Sequence, residues 1–325
     1  MILIVTNRQD FTVDYTIIEL ERQAIPYFRF NTEDFPTKAT LIWHKSSESR
    51  REIRFESGKV LDLTKIKSVW YRRPVSPSTN LVLSKAEQDF VEAESRSALL
   101  GLWRTLDCFW VSQPDKIREA ENKLEQLERA ESVGFKIPRT LVTNDPVSVH
   151  NFLEKCDGRI IAKPICESHI YTPDGMKLIY SNLVTTEHKD LIPLVKYSPV
   201  IFQEYVPKKV EIRVNVFGRN VFATEIHSQE SVREYVKHDW RRGASKDILH
   251  KPHLLSKNIE SICMKIVDTY RLEFATLDLI LTPSDDYYFL EMNPNGQWAW
   301  IEPLTKQPLR QSIIDLLTEG GNSYG

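Results

Sequence analysis

Two acids stand inside apolar runs of this chain, where a charge is expensive. Asp278 lies in Phe274-Ala-Thr-Leu-Asp-Leu-Ile-Leu281 and Glu291 in Tyr287-Tyr-Phe-Leu-Glu-Met-Asn293, with Pro283-Ser-Asp-Asp286 between the runs. The pattern predicts an antiparallel hairpin with Pro283-Ser-Asp-Asp286 as its loop. In that register Asp278 faces Glu291 across the ladder, and Asn293 shares the Glu291 face because strand side chains alternate. Carboxylates about 5 Å apart repel by roughly 3 kcal/mol at an effective dielectric near 20. A hard divalent cation such as Mg²⁺ removes that repulsion. It takes the oxygens of Asp278, Glu291 and Asn293 and leaves positions open for phosphate oxygens. The competing possibilities are that the register is wrong or that an Arg or Lys neutralises one of the acids.

Cations along the chain fit the same chemistry. Lys163 sits in the apolar strand Arg159-Ile-Ile-Ala-Lys-Pro164, where a lone ammonium is costly unless an anion meets it. Arg213 shares a strand face with Glu211, so it either contacts phosphate or forms a same-face charge pair. Arg241 and Arg242, in Asp239-Trp-Arg-Arg-Gly243, form a cationic pair beside a flexible glycine; they suit forked hydrogen bonds to phosphate or carboxylate, or else a solvated loop. Arg72 and Arg73 follow the strand Ser68-Val-Trp-Tyr71, and ligands bind at strand ends of open α/β sheets. A strand terminus paired to nearby acids would look the same. Gln203-Glu-Tyr-Val206 ends an apolar strand ahead of Pro207 and is either an interdomain hinge whose backbone can hydrogen-bond a flat base, or an edge strand entering a loop. Lys123, on a helix beside the apolar stripe, would by itself be a surface lysine.

Rigid elements must position these residues. From residue 1 to about 113, strands at 2–6, 27–30, 39–43 and 68–72 alternate with helices at 13–24 and 84–106, the pattern of an α/β unit. Helix 84–106 opens with a Ser84/Glu87 capping box and directs Phe90, Leu99, Leu102 and Leu106 toward a core. A helix over 115–133, with Ile117, Ala120, Leu124, Leu127 and Ala130 on its stripe, stops at Gly134. Strands at 140–143, 159–163 and 177–184, with a Thr172-Pro-Asp-Gly175 turn, form a small α+β region. Strands at 200–206, 211–216 and 221–227, a polar stretch at 228–253, helix 256–271, the acidic hairpin and helix 309–319 complete the chain. The expected division is 1–113, 114–206 and 207–325, in a mixed α/β and α+β fold.

Composition narrows the partners. The 325 residues are 41% hydrophobic, and 43 Lys plus Arg nearly balance 45 Asp plus Glu, so no overall basic field recruits nucleic acid. Cys108, Cys156, Cys166 and Cys263 form no C-x-x-C pair, against structural zinc or a secreted disulfide framework. Met1-Ile-Leu-Ile-Val-Thr6 is too short and lacks the basic flank for a signal peptide or membrane span, so a cytoplasmic protein with no membrane partner is expected.

Taken in order, Lys123, Lys163, Gln203-Glu-Tyr-Val206, Glu211-Ile-Arg213, Leu277-Asp278 and Glu291-Met-Asn293 resemble the ATP-grasp superfamily of ligases across residues 110–319. The resemblance implies an ATP-grasp fold behind an N-terminal pre-ATP-grasp domain. It places Lys123 and Lys163 on the phosphates of ATP, Gln203, Glu204, Tyr205 and Val206 around adenine, Glu211 on the ribose, Arg213 on phosphate, and Mg²⁺ on Asp278, Glu291 and Asn293. Phe28-Arg-Phe-Asn-Thr-Glu-Asp-Phe-Pro36, Trp70-Tyr-Arg-Arg-Pro74, His238-Asp-Trp-Arg-Arg-Gly243 and Glu291-Met-Asn-Pro-Asn-Gly-Gln-Trp298 extend the likeness to nearly the whole chain. They resemble the maturases of microviridin-type peptides, the graspetide synthetases. One departure is that 165–176 holds a single glycine, Gly175, where many ATP-grasp enzymes carry a glycine-rich phosphate loop.

What this resemblance implies is specific. The partner is a ribosomal precursor peptide with a leader and an acidic, hydroxyl-rich core, and residues 165–184 dock the leader. A Glu or Asp side chain of the peptide becomes an acyl phosphate and is attacked by a Ser or Thr hydroxyl or a Lys amine, closing an ester or amide ring. Lys163, Arg213 and Arg241 supply positive charge to the reaction, Arg72, Arg73 and Arg242 hold substrate, and the enzyme is a homodimer. Two other functions stay open: a ligase adding a free amino acid to a peptide or protein carboxylate, and a nucleotide-gated peptide-binding protein without turnover.

Overall fold

Alternating apolar strands and amphipathic helices build the first layer. The computed structural model describes residues 1–46, 50–79, 82–166, 169–172, 174–243 and 245–323. The first region comprises β1 (Ile2–Thr6), α1 (Phe11–Arg22), β2 (Tyr27–Asn31), β3 (Ala39–His44), β4 (Arg50–Phe55), β5 (Val60–Asp62), β6 (Ser68–Tyr71), α2 (Lys85–Trp103) and β7 (Phe109–Val111). β1 is buried along its whole length, as a strand covered on both faces must be. It pairs parallel with β2 and β6, and β6 pairs parallel with β7. On one face Leu3, Val5 and Val69 pack against Leu99, Leu102 and Trp103 of α2 and against Ile53 and Leu61 of the antiparallel sheet β3–β4–β5.

The expected capping box on α2 is present, but Phe90 is 67% exposed rather than in the core. Nine residues separate it from Leu99, which is half a turn out of phase on a helix of 3.6 residues per turn. β4, β5 and β7 were not foreseen: the charges of Arg50-Arg-Glu-Ile-Arg-Phe55 hide its single fully buried position, Ile53.

The helix expected over 115–133 is two helices, α3 (Pro114–Ala120) and α4 (Lys123–Val133). Asn122 interrupts it by accepting hydrogen bonds from the backbone N–H groups of Leu124 and Glu125, an N-cap that starts a new helix. Lys123 is therefore the first residue of α4, at its positive end, and Leu124 faces solvent. Gly134 closes α4 at φ +109°, a conformation that side chains disfavour.

The central region holds β8 (Thr140–Thr143), α5 (Pro146–Lys155), β9 (Arg159–Lys163), β10 (His169–Thr172), β11 (Gly175–Leu178), β12 (Asn182–Thr185) and β13 (Val200–Glu204). The expected strand 177–184 is split. β11 pairs only with β10 in a separate two-stranded ribbon, whereas β12 joins β9 in the sheet β12–β9–β13–β8. The ribbon turn falls where expected, with Thr172 opposite Gly175; Pro173 lies outside the described residues.

The last region adds β14 (Val210–Phe217), β15 (Asn220–Ile226), α6 (Glu234–His238), β16 (His250–His253), α7 (Lys257–Thr269), β17 (Phe274–Leu281), β18 (Tyr287–Asn293), α8 (Glu302–Thr305) and α9 (Leu309–Ser323). Its antiparallel sheet runs β16–β15–β14–β17–β18. Leu127 and Ala130 of α4 and Cys263 and Ile266 of α7 cover Ile212, Val214, Leu277 and Leu279 on one face. The alternate residues Glu211, Arg213 and Asp278 therefore point the other way, and Glu211 and Asp278 line a cleft shared with the central sheet. α9 does not stay with this region: Ile313, Ile314 and Leu317 return to pack on Ile2, Ile4, Trp70 and Val111 of the first sheet.

Candidate active site

β17 and β18 bring Asp278 directly opposite Glu291, and Thr276 opposite Asn293. The register expected from the sequence holds up to this point and then slips, because Leu279 pairs with Phe289 and leaves Leu290 as an extra residue. A bulge of this kind re-aims the backbone beside it. The Lys163 ammonium approaches the Leu290 carbonyl at 3.4 Å. Behind β18 the buried Gln126 side chain donates to Met292 O at 2.8 Å and accepts from Met292 N at 2.8 Å. Gln126 thus acts as a short stretch of neighbouring strand and fixes the residue between Glu291 and Asn293. The sequence did not single it out, although a glutamine beside Leu127 and Ala130 on a buried helix stripe is the kind of residue that needs a partner.

Each acid is met by a cation. Arg213 Nη1 donates to Asp278 at 2.9 and 3.2 Å, and its Nη2 donates to Gln297 O at 3.0 Å. Lys123 Nζ stands 3.1 Å from Glu291 Oε2 and 3.3 Å from Pro164 O. Neutralisation by Arg and Lys, one of the competing possibilities for the acidic pair, is therefore present twice. Glu211 is not the partner of Arg213. Its buried carboxylate is held by Lys208 and the Ser228 hydroxyl, two residues the sequence did not flag.

The electrostatics follow from these contacts. Burial pushes the Lys163 ammonium down to about 8, with Lys123 and Arg241 adding to the effect and Glu291 opposing it. Burial disfavours the Glu291 carboxylate, yet Lys123, Lys163 and Arg241 together hold it down at about 2. Asp278 moves the other way, raised by burial and by Glu291 against the pull of Arg213. Lys123, Lys163, Lys208 and Arg241 line the cleft together with Glu211, Asp239, Asp278 and Glu291, so its charges balance and each acid has a cation near it. Lys123, Lys163, Arg241, Asp278, Glu291 and Glu211 line one end of it. Asn293 lines an adjoining cleft with Arg73 and Asn295, and its Oδ1 accepts from Asn295 N at 2.9 Å.

The hinge residues line the other end. Gln203 to Val206, Pro138, Ile161, Ile280 and Leu290 form a narrow, largely apolar slot that continues from the charged end through Lys163 and Leu290. The Gln203 side chain is committed to Thr140 at 3.0 Å and the Glu204 carboxylate to Arg139 at 2.6 Å. Tyr205 lies under the Arg159 guanidinium at 4.0 Å and meets the His238 ring edge-on. The slot therefore offers largely apolar walls to a planar base.

The paired arginines of both motifs divide their roles. Arg241 lines the charged end, whereas Arg242 stacks over Tyr180 at 4.9 Å and donates to Asn182, away from that lining. Gly243 does not serve flexibility: a Cβ there would stand 2.9 Å from Ile248 Cδ1 and 3.2 Å from Val236 Cγ1. Arg72 does not fit its expected role of holding substrate. It is wholly buried, paired with Asp10 at 3.1 Å, and donates to Gly296 O at 3.1 Å and Gln297 Oε1 at 2.8 Å. Asp10 also caps α1, so Arg72 pins the first region to the segment after β18. That segment needs Gly296, where a Cβ would overlap Thr276 Oγ1 at 2.2 Å. Arg73 is exposed and lines the cleft beside Asn293, held by Nε donating to Asn295 O at 2.9 Å.

Comparison with known families matches residues 1–118 to the MvdD pre-ATP grasp domain and residues 120–317 to the RimK-like ATP-grasp domain. The chain is an ATP-grasp ligase of the RimK-like family. The boundary between the two matches falls at the end of α3. Among solved structures, the ligase is similar to a RiPP-associated ATP-grasp ligase of Chryseobacterium gregarium in complex with ADP and a leader and core peptide. The two share 30% identity over 98% of this chain and 96% of that one, with a TM-score of 0.89. It is also similar to the macrocyclase MdnC of Microcystis aeruginosa MRC bound with precursor peptide MdnA, at 28% identity over 98% and 99% of the two chains and a TM-score of 0.86. The macrocyclase MdnB of the same organism matches at 28% identity over 98% and 99% of the chains, with a TM-score of 0.80. No curated protein matches the chain. No helix among the described residues of this ATP-grasp ligase is long and apolar enough to cross a membrane.

Proposed function

We propose that this ATP-grasp ligase closes side-chain links within a ribosomally made precursor peptide at the expense of ATP. The observation that carries the proposal is the end-to-end likeness to peptide-bound ligases, with 98% of this chain aligned to each of two of them. A peptide carboxylate oxygen attacks the γ-phosphorus of ATP, ADP leaves, and an acyl phosphate forms. A hydroxyl or amine of the same peptide then attacks the carbonyl carbon, phosphate leaves, and the nucleophile gives up its proton. The peptide loses one water per link.

The residues divide the work. The slot at 203–206 receives the base, and Glu211 the ribose. Lys123 and Lys163 bind phosphates, and Arg213 and Arg241 place positive charge where the phosphoryl group is transferred, so catalysis is mainly positioning and electrostatics. Asp278, Glu291 and Asn293 offer the hard oxygen donors that fit Mg²⁺, which when bound neutralises phosphate oxygens. Arg73, beside Asn293, holds an acidic side chain of the peptide core. The ribbon β10–β11 docks the leader. It presents Met176 and Leu178 on one face at 57% and 52% exposure and Ile170 on the other at 53%, and pairs with no other strand among the described residues, which suits adding a peptide strand. The homodimer rests on family likeness alone, and light scattering on the pure protein decides it.

The alternative within the same chemistry is a free amino acid joined to a peptide carboxylate. Intact-mass measurement separates the two. With ATP, Mg²⁺ and the precursor peptide encoded beside this gene, the proposal requires the mass to fall by one water per link. A rise by the mass of an amino-acid residue would establish the other reaction instead.

A further inference from the structure

Asp239 is a buried acid at the start of the turn Trp240–Arg242, and its carboxylate is fully engaged. Oδ1 accepts from Arg241 N at 3.1 Å and Arg241 Nε at 2.8 Å. Oδ2 accepts from Arg241 Nη2 at 2.6 Å and from the backbone N–H of Ser181 at 2.9 Å. Arg241 is thus gripped by a fork on an acid that is itself immobilised, which leaves its guanidinium a defined place at the charged end of the cleft.

Ser181 and Asp239 belong to different regions. Ser181 lies between the ribbon, which ends at Leu178, and β12 of the central sheet, whereas Asp239 follows α6. One carboxylate therefore joins the central sheet to the turn that carries Arg241. The neighbours repeat the join, since Arg242 donates to Asn182 and stacks on Tyr180. Withdrawing Ser181 strips a buried carboxylate of one donor and loosens the side that also anchors Arg241.

We infer that Asp239 is a positioning residue that makes the placement of Arg241 conditional on segment 180–182 being seated across the cleft. Closure of the central sheet and delivery of positive charge to the transferring phosphoryl group are then a single event. The inference rests on the proposal that Arg241 acts on phosphate.

The test is a double-mutant cycle on the full-length enzyme, with peptide-dependent ADP release as the readout. Arg241→Ala and Asp239→Asn are each expected to lower kcat by roughly 10- to 100-fold while the KM for ATP moves by less than about 3-fold. Asp239→Asn added to Arg241→Ala is expected to cost nothing further, because Asp239 acts through Arg241. An equal loss from Asp239→Asn in both backgrounds, or a wild-type kcat for Asp239→Asn, overturns the inference. An unchanged kcat for Arg241→Ala alone would instead remove the phosphate role of Arg241. Should Asp239→Asn fail to fold, Asp239→Glu, which keeps the charge, takes its place in the cycle with the same expectations.

Discussion

Arg213 and Asp278 stand opposite each other on adjacent strands, and one guanidinium nitrogen of Arg213 reaches both oxygens of the carboxylate. Asp278 thus stands between Arg213 on one neighbouring strand and Glu291 on the other. Replacing Asp278 by Asn keeps the shape and removes the charge. Turnover is expected to fall by roughly 100-fold or more, the scale seen when one preorganised electrostatic group is lost from an active site. Peptide-stimulated ADP release measures it, and near-wild-type release from Asp278→Asn would contradict the role given to the acidic pair.

Lys163 is desolvated by burial and gains most from a bound polyanion, whereas Lys123 is already paired with Glu291. Lys163→Met is therefore expected to weaken a non-hydrolysable ATP analogue by about 10-fold or more, with a smaller effect from Lys123→Ala. Calorimetric titration of both variants gives the two ratios, and the reverse order would show that Lys123 carries the phosphate contact.

Arg72 and Arg73 are adjacent in sequence and opposite in consequence. Removing Arg72 leaves the buried Asp10 carboxylate without its countercharge and the Gly296 carbonyl without its Arg72 donor, so Arg72→Met is expected to cost about 3–5 kcal/mol in denaturant unfolding. Arg73→Ala should stay within about 0.5 kcal/mol, as surface substitutions do, and raise the KM for peptide. A stable Arg72→Met variant with a raised peptide KM would return Arg72 to substrate binding.

Glu19 sets a pH dependence where α1 meets α9. Hydrogen bonds from Arg22 and Gln23 hold its carboxyl at about 2, below the ordinary 4.5, against the cost of burial. Between those values the unfolded chain binds the extra proton, so stability rises with pH. The contribution of Glu19 is complete above about 4.5 and is lost as the pH falls through about 2. Thermal unfolding of Glu19→Gln should show a shallower decline over this acid window than the wild type, and parallel curves would remove Glu19 from the account.

Much of the site could be read from the residues. Lengths and loop position were enough to set Asp278 against Glu291, because a short antiparallel connection leaves little freedom in register. The bulge at Leu290 was not legible: Tyr287-Tyr-Phe-Leu is apolar throughout, so alternation carries no mark of an extra residue. The same limit hid the break at Ile179-Tyr180-Ser181, which continues the pattern of β11 while the chain passes from the ribbon to the central sheet. Arg72 and Arg73 look alike in sequence, and only the packing of Asp10 and the Gly296 carbonyl assigns one to the interior. The stripe on α9 announces a buried helix, but periodicity does not say which sheet receives it. Asp239 went unremarked because its worth lies in a bond to Ser181, far away in the chain.

The central claim is that each link in the peptide is driven by one phosphoryl transfer at the cleft holding Asp278 and Glu291. Counting ADP released against water lost from the precursor peptide, in one reaction with ATP and Mg²⁺, tests it most directly. The account predicts one ADP per water lost, with both counts falling together in Asp278→Asn. Water loss without ADP, or ADP formation with an unchanged peptide mass, would contradict it.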